Sequence, residues 1–582
     1  METKTIEEKK VNAHETLHTT GSDALLLSLI AEGASTIFGY PGGAIMPLYD
    51  KLLDYKDKLT HILTRHEQGA IHAAQGFARV TGKPGVCFAT SGPGATNLIT
   101  GIADAYMDST PVVCITGQVF STLLGTDAFQ ETDVIGITMP VTKWNFQVTR
   151  CEEIPEAIAK AFYIACSGRP GPVVIDITKD AMINKFDYSY KSCTYIRSYI
   201  PEPKVNIEQL EKAAQLINGA KKPMVLIGQG VILGNAENEL LAFLNKSGIP
   251  AATTLLGLGA IPNSHPQFTG ILGMHGNAGP NLKTNECDVL IGIGMRFDDR
   301  VTGMVSKYAT QAKIIHFEID KAEVNKIIKV DAPVMGNVKE TLAQILGLIQ
   351  PKKYPEWLAE FTACTEVEFK RVIKNEIHPS EGKITMGEVI EVLNIEAEDD
   401  AIVVTDVGQH QMIAIRYYNF KKSRTWVTSG GLGTMGFALP AAMGAQFGQP
   451  DKKVVSIAGD GGFQMTMQEL GTIAYNKLPV KMIILNNNFL GMVRQWQELF
   501  FEERYSNTPI SSPDFVALAA SYKIEGETVK TREELKGAIS RMWNSKGAYL
   551  LEIKVAAKGN VFPMIATGKA VNEILYGDEK QQ

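Results

Sequence analysis

Cysteine is scarce and unpatterned in this chain of 582 residues: seven occur, at positions 87, 114, 151, 166, 193, 287 and 364, with no CxxC spacing. Their absence in pairs argues against thiolate zinc ribbons and redox dithiols, and runs such as VVCIT read as reduced core thiols. A strong charge of either sign is also missing. The net charge of −6 leaves no electrostatic footprint for nucleic acid. The longest apolar runs are strand-length and fall far short of a membrane span. The opening METKTIEEKKVNAHETLHTTG contains Glu and has no apolar core, so it reads as a solvated, disordered tail over residues 1–20 and as neither a signal nor a transit peptide. A cytoplasmic location is expected. Short-period repeats are absent.

What is present is alternation. Short apolar runs alternate with helix-length segments almost throughout, which predicts α/β architecture with parallel sheets, and the length predicts roughly three to four domains. A first block spans 21–188, with strands ending in turns at FGYPGG, FATSGPG, CITGQ and VVIDIT. A Tyr-, Ser- and Pro-containing stretch follows it and reads as a linker. The second block, 207–350, carries PMVLIGQG, DVLIGIG and IIHFEID. A charged, helical connector (352–382) leads to the third block, 383–557, with AIVVTDVG, VVSIAG, KMIILNN and YLLEIKV. Residues 558–582 read as a C-terminal tail. The expected fold class is three doubly wound parallel-sheet domains, the first and third sharing a style through the turns TSGPGAT and AGDGGFQ.

The most informative stretch runs from Gly459 to Asn487. Gly459-Asp460-Gly461 follows the apolar run VVSIA, and Asn486-Asn487 follows MIIL. Two adjacent strands with these endings would bring a carboxylate, an amide oxygen and bare backbone N–H groups to one sheet edge. Completed by a backbone carbonyl, diphosphate oxygens and water, such a set is the hard-oxygen shell that Mg²⁺ prefers. The helical pattern after Gly461 can direct its N-terminus at the diphosphate. GDG with a double Asn at this spacing is the signature of thiamine diphosphate enzymes. In Arg65-His66-Glu67-Gln68-Gly69-Ala70, a zinc HExxH would need His where Ala70 stands, and His72 is off register. Glu67 therefore reads either as a surface helix start or as the buried Glu with which thiamine enzymes hold N1′ of the aminopyrimidine. A carboxyl in an apolar site has a raised pKa and can share that proton.

RHEQGAIHAAQGFARVTGKPGVCFATSGPGATN, AFQETDVIGIT, TKWN, SGRPGPVVIDITKD, GMHG, RFDDRVTG, VGQHQM, SGGLGTMGFALPAAMGA and LNNNFLGMVRQWQ together resemble the catalytic large subunits of the acetohydroxyacid synthase family over nearly the whole chain. The resemblance implies a pyrimidine-binding domain, a central FAD-binding domain and a diphosphate-binding domain. It also implies a homodimer or tetramer, with Glu67 of one subunit facing Asp460 and Asn487 of another. Asp460, the Asn487 side chain and the backbone oxygen of Phe489 then resemble the Mg²⁺ ligands. Gln409, His410, Gly461 and Gly462 resemble diphosphate contacts, and the Gly433 carbonyl an acceptor for the 4′-amino group. Met435 resembles the wedge that bends the cofactor, although by itself it reads as a core methionine. GQGVILG, containing Gly228 and Gly230, is only loosely dinucleotide-like, because its third Gly is misplaced for GxGxxG. Beside Arg169, Met274, His275, Gly276, Arg296, Glu318 and Ile319 it resembles the FAD site of the family. Asn337-Val338 departs from the Asp-Val of many relatives at one further contact.

For the substrate, the resemblance assigns Arg300 to the carboxylate of the second 2-ketoacid, a task suited to a planar bidentate donor. The alternative for Arg300 is a surface ion pair with Asp298 or Asp299. Trp496 resembles the contact to the acceptor's alkyl group. Phe129, Lys179, Val407 and Met492 match channel or pocket positions, as do Gly43 and Gln130, which are grouped with Glu67 as catalytic. The implied reaction decarboxylates pyruvate and condenses the hydroxyethyl carbanion with pyruvate or 2-ketobutyrate, giving 2-acetolactate or 2-aceto-2-hydroxybutyrate for branched-chain amino acids. A separate small regulatory subunit is implied. The alternatives are an FAD-independent catabolic acetolactate synthase, a glyoxylate carboligase or oxidase, and a non-catalytic cofactor-holding protein.

Overall fold

The computed structural model describes residues 17–398 and 401–578. The chain divides into two compact units. The first comprises the described residues up to Ala74, then Pro84–Cys166 and Gly171–Tyr199; the second comprises Gln75–Lys83, Ser167–Pro170 and the described residues from Ile200 on.

In the first unit, β1 (Leu17–Thr20) is followed by β2 (Thr36–Gly39), β3 (Thr60–Leu63), β4 (Gly85–Ala89), β5 (Val112–Gln118), β6 (Trp144–Val148), β7 (Pro172–Thr178) and β8 (Lys185–Tyr188). Strands β2 to β7 form one parallel sheet in the order β3-β2-β4-β5-β7-β6. Its central strands β4, β5 and β7 are buried along their whole length. Burial on both faces makes these strands read as mostly apolar runs rather than as alternating ones, and the polar residues they bury are hydrogen-bonded to one another: Asp176 in β7 accepts from Thr116 (2.7 Å) and Gln118 (3.1 Å) in β5. β1 departs from the expected tail: Leu17–Thr20 pair antiparallel with β8 in register Leu17↔Tyr188 to Thr20↔Lys185. The strand leads into a helix (Gly21–Ala31) whose cap is Thr20, accepting from the Asp23 N–H, so the local chemistry of a helix start extends order backwards. The rest of the expected tail, residues 1–16, lies outside the described residues.

The second unit carries two sheets. The central one is built from β9 (Pro223–Ile227), β10 (Ala251–Thr253), β11 (Phe268–Ile271), β12 (Val289–Ile293), β13 (Lys313–Glu318) and β14 (Ala332–Met335), all parallel, in the order β11-β10-β9-β12-β13-β14. Numbered within the sheet this is 3-2-1-4-5-6, the order of dinucleotide-binding folds, with its reversal between β9 and β12. The other contains β15 (Ile402–Thr405), β16 (Trp426–Thr428), β17 (Val454–Gly459), β18 (Lys481–Asn486), β19 (Glu525–Val529) and β20 (Tyr549–Lys554), also parallel, in the order β16-β15-β17-β18-β20-β19. Numbered within their sheets, this one and the sheet of the first unit both read 2-1-3-4-6-5. The turns TSGPG and GDGG follow the third strand in each, so the shared style of the two blocks is a shared topology.

The connector is helical, from Pro355–Glu368 through a wider turn at Phe369–Ile373 to Lys374–Ile377. Its last α-helical residue in the first segment, Glu368, is fully buried. It accepts from Asn277 Nδ2 (3.0 Å) and the Ala278 N–H (2.6 Å), and it pairs with the buried Arg416. Arg416 also donates to the carbonyls of His275 (3.2 Å) and Gly276 (3.0 Å). Beyond 557 the chain is not a free tail: β21 (Met564–Ile565) and β22 (Ile574–Leu575) pair antiparallel. Val561, Met564 and Ile565 are buried, and burying these apolar side chains is what fixes the segment. All seven cysteines are free. Among the described residues no helix is long and apolar enough to cross a membrane.

Candidate active site

In an open parallel sheet, ligands bind beyond the carboxyl ends of the strands where the strand order reverses. In the third sheet that point lies between β15 and β17. Asp406 to His410 leave β15 there, and Asp460 leaves β17 as the first residue of the helix Asp460–Thr466. Asn487 follows the neighbouring β18. Asp460, Asn487, Gln409 and His410 are all at least 95% buried. Burial pushes the Asp460 carboxyl up to about 6, against the opposing pull of the Ser512 hydroxyl, which donates at 3.1 Å. Asn487 Oδ1 accepts from the Phe489 N–H (3.0 Å), a tight turn that leaves the Phe489 carbonyl on the same segment. Gln409 donates to Gln495 Oε1 (2.9 Å) and to the Gly559 carbonyl (2.8 Å), while its own oxygen lies 3.4 Å from Asn487 Nδ2.

Two features suit an anionic ligand. The Nε2 atom of His410 is buried with no protein partner, and burial drives the ring down to about 4, so the imidazole is neutral and one of its nitrogens awaits a bond. In the helix Asp460–Thr466, the N–H groups of Gly461 and Gly462 lie in the first turn. Among the described residues no three His, Cys, Asp or Glu side chains converge. A cation beside Asp460 would therefore draw on amide and backbone oxygens, as Mg²⁺ and not a thiolate- or imidazole-seeking metal does.

Gly462 is glycine for a visible reason: a Cβ there would lie 2.7 Å from Asp406 Oδ1. Gly462→Ala is expected to cost about 1–3 kcal/mol of stability through overpacking, read as a lower midpoint in thermal unfolding. Asp406 was not singled out in the sequence, yet it is buried and organises this edge. It accepts from the N–H groups of Val407 (2.7 Å), Gly436 (2.9 and 3.1 Å) and Ala438 (3.3 Å), and burial raises its carboxyl to about 6. The loop it holds carries Gly433, at φ +71°, and Met435. Met435 is half-exposed rather than a core residue. Its methyl lies 3.9 Å from the Cβ position of Gly461, and Val407 Cγ1 lies 3.8 Å from that of Gly433. Met492 and Trp496 share the helix Gly491–Phe500, which is clamped by the buried Arg494 and Gln495. Trp496 is half-buried against Phe500, with ring centroids 5.1 Å apart.

In the first unit, Glu67 begins the helix Glu67–Thr81 and is only 8% exposed. It is not a surface helix start. Asn97, the last residue of TSGPGATN, donates to Glu67 Oε2 at 2.9 Å, and the Cβ position of Gly94 lies 3.3 Å from Oε1. Asn97 is a second functional candidate missed in the sequence. Lys179 Nζ donates to the Gly43 carbonyl at 3.2 Å. Gln130 is held at φ +62° in a loop closed by Glu131, whose carboxylate accepts from Gly125 and Ala128, and this leaves Phe129 88% exposed.

Around the central sheet, Gly228 and Gly230 pack backbone to backbone against Gly294 at the end of β12, with Gly294 at φ +60°. Their lack of a side chain serves this approach of the two strand ends at the reversal point. His275 is buried with Nδ1 unpartnered, and burial with the nearby Arg416 and Arg300 charges lowers it to about 3. Glu318 is raised to about 7 by burial and accepts from the N–H groups of Ile319 (2.8 Å) and Asp320 (3.1 Å). Arg169 pairs with Glu323 at 2.8 Å and Asp320 at 3.5 Å. Arg296 lies 3.7 Å from Asp298. Asn337 caps the helix Val338–Leu346 through the Lys339 N–H. Arg300 is 62% exposed and 3.9 Å from the still more exposed Asp299, a pairing too solvated to hold the guanidinium. The Arg300 carbonyl accepts from Met274 (2.7 Å), and the Met274 carbonyl accepts from Ile565 (2.8 Å). Arg300, Met274 and the C-terminal residues Ile565–Gly568 line one shallow hollow.

Family models agree with this architecture. The chain matches the N-terminal TPP-binding domain of thiamine pyrophosphate enzymes over residues 19–137, their central domain over 210–345 and their C-terminal TPP-binding domain over 406–553. It is a thiamine diphosphate enzyme. It is 47% identical over 570 residues to an acetolactate synthase large subunit of Corynebacterium glutamicum, covering 96% of this chain and 90% of the relative. It is 45% identical over 556 residues to the acetolactate synthase isozyme 2 large subunit of Escherichia coli, covering 95% and 99%. A probable acetolactate synthase large subunit of Methanocaldococcus jannaschii is 44% identical over 564 residues, covering 95% of each chain. The chain thus belongs to the acetolactate (acetohydroxyacid) synthase large-subunit family.

Proposed function

We propose that the protein is the catalytic subunit of an acetohydroxyacid synthase that uses thiamine diphosphate, Mg²⁺ and FAD to join pyruvate to a second pyruvate or to 2-ketobutyrate. The observation that carries this reading is the meeting of Asp460, Asn487, Gln409 and His410 at one strand-order reversal. Asp460, Asn487 and the Phe489 carbonyl would hold Mg²⁺, and Gln409, His410, Gly461 and Gly462 the diphosphate. When bound, thiamine diphosphate supplies an acidic ring carbon and an electron sink, which let a 2-ketoacid lose CO₂ and pass its remaining two-carbon unit to an acceptor. Glu67 would share a proton with the pyrimidine N1′ of the bound cofactor, the Gly433 carbonyl would accept from its 4′-amino group, and Met435 would pack against it. Gly43, Gln130, Phe129, Lys179, Val407 and Met492 belong to the channel and pocket.

FAD is assigned to the central domain. Support comes from its dinucleotide-type strand order, the glycine contact of Gly228 and Gly230 with Gly294, and the unpartnered Nδ1 of His275. Arg169, Met274, Gly276, Arg296, Glu318, Ile319, Asn337 and Val338 complete the proposed contacts. The same reading divides the chain into pyrimidine-binding (21–188), FAD-binding (207–350) and diphosphate-binding (383–557) domains. It takes a homodimer or tetramer in the cytoplasm, served by a separate small regulatory subunit, as the working assembly. Product analysis with pyruvate alone and then with added 2-ketobutyrate tests the reaction. A flavin absorption band in the purified protein separates it from the FAD-independent acetolactate synthases, and neither acetohydroxyacid forming would overturn it.

Arg300 is proposed to bind the acceptor's carboxylate and Trp496 its alkyl group. The two acceptors differ by one methylene, so Trp496→Leu is expected to lower the preference for 2-ketobutyrate by about 1–3 kcal/mol, roughly ten- to two-hundred-fold, while acetolactate formation persists. Competing both acceptors in one vessel reads the ratio directly. Equal loss of both products would mean that Trp496 supports the fold or the cofactor instead.

A further inference from the structure

We propose that Asp406 is the positioning residue that sets the Gly433–Met435 segment against the Gly461-Gly462 turn, and so governs how readily the bound cofactor loses its C2 proton. The inference rests on the functional reading above and adds to it a residue outside the proposed cofactor and metal contacts.

Three observations carry it. The Asp406 carboxylate, 1% exposed at the end of β15, accepts from the Gly436 N–H through both oxygens, from Val407 through one and from Ala438 through the other. Buried bonds to a charged acceptor are stronger than neutral ones, and four N–H contacts of 2.7, 2.9, 3.1 and 3.3 Å fix the carboxylate's position. Secondly, Met435 lies between two tethered neighbours. The Thr434 N–H donates to Ser429 Oγ at 2.8 Å, and the Gly436 carbonyl accepts from the Thr466 hydroxyl at 2.8 Å. Thirdly, the same carboxylate fills the space where Gly462 would carry a Cβ. One side chain therefore sets the distance between the segment bearing Met435 and the turn proposed for the diphosphate. Displacements of about 1 Å in such supports cost on the order of a hundredfold in rate.

Asp406→Asn keeps the shape but turns an NH₂ group toward one set of backbone N–H donors, so at least one contact to Gly436 or Ala438 is lost. With thiamine diphosphate and Mg²⁺ at saturation, H/D exchange at C2, followed by NMR after acid quench, is expected to slow roughly ten- to a hundredfold. Cofactor half-saturation is expected to stay near wild type, while the thermal midpoint of the cofactor-free protein falls because a buried backbone N–H loses its acceptor. Exchange at the wild-type rate in the bound fraction overturns the proposal, including when affinity or stability has fallen, since that pattern marks a purely structural role. Should Asp406→Asn not fold, Asp406→Ser removes the carboxylate with little added bulk; it too is expected to slow exchange, and a wild-type rate there overturns the proposal. A wild-type protein that does not accelerate C2 exchange would instead sink the functional reading, so the two failures are distinguishable.

Discussion

Glu67→Gln is expected to retain thiamine diphosphate and FAD but to slow C2 deprotonation by about 10²- to 10⁴-fold, the range typical of a lost general acid–base group. The substitution is conservative in shape: a glutamine fits the same cavity at the start of the helix Glu67–Thr81, and its oxygen can still accept from Asn97 Nδ2, now 2.9 Å from Oε2. What the amide lacks is the proton that a carboxyl shares with a pyrimidine nitrogen. The site is built for that sharing, because Glu67 is 8% exposed and water competes little for its oxygens. C2 exchange measured by NMR reports the step without the later chemistry. A glutamine variant exchanging at the wild-type rate would remove Glu67 from its proposed role, and loss of cofactor binding would show that the side chain supports the site rather than its proton transfer.

The fold was legible because its physics is local. Strands buried on both faces are mostly apolar, so VVSIA and MIIL announce β17 and β18, and helix-length segments between parallel strands announce the crossovers. The metal and diphosphate candidates were legible for a related reason: residues that end adjacent strands converge on one sheet edge. Residues whose roles depend on distant partners were not. Asp406 precedes Val407-Gly408 like any strand-end carboxylate, and only the folded chain brings Gly436 and Gly462 to it. Asn97 lies 30 residues from Glu67, and Glu368 lies 48 from Arg416. The ordered C-terminal segment was hidden likewise: its strands are two residues each, too short for a periodic pattern, and its anchors are Gln409, Arg494 and Gln495, through Gly559, Asn560 and Val561. β1 was hidden because its partner β8 is more than 160 residues away and pairs antiparallel at the domain's margin.

Asp460→Ala is expected to abolish Mg²⁺-dependent cofactor binding while leaving the cofactor-free protein folded. Asp460 is the one carboxylate among the three proposed ligands, and a divalent cation held by an amide and a backbone carbonyl alone loses the charge that offsets its dehydration. Without the cation, the N–H groups of the Gly461-Gly462 turn offer only partial charges against a diphosphate. The free protein has less to lose. Burial opposes charge on Asp460, and its hydrogen bond from Ser512 involves a part-buried hydroxyl that water can satisfy. Thermal unfolding with and without ligand separates these effects. Ligand at about a hundred times its dissociation constant stabilises a folded protein by about 2.7 kcal/mol, so wild type should gain several degrees from thiamine diphosphate with Mg²⁺, and Asp460→Ala none. A variant that melts like wild type alone and no longer responds to the pair places Asp460 in the clamp. A variant that keeps the full shift, or activity at ordinary cofactor concentration, would assign the cation to other oxygens, and the Asn487–Phe489 turn would have to be reassigned with it.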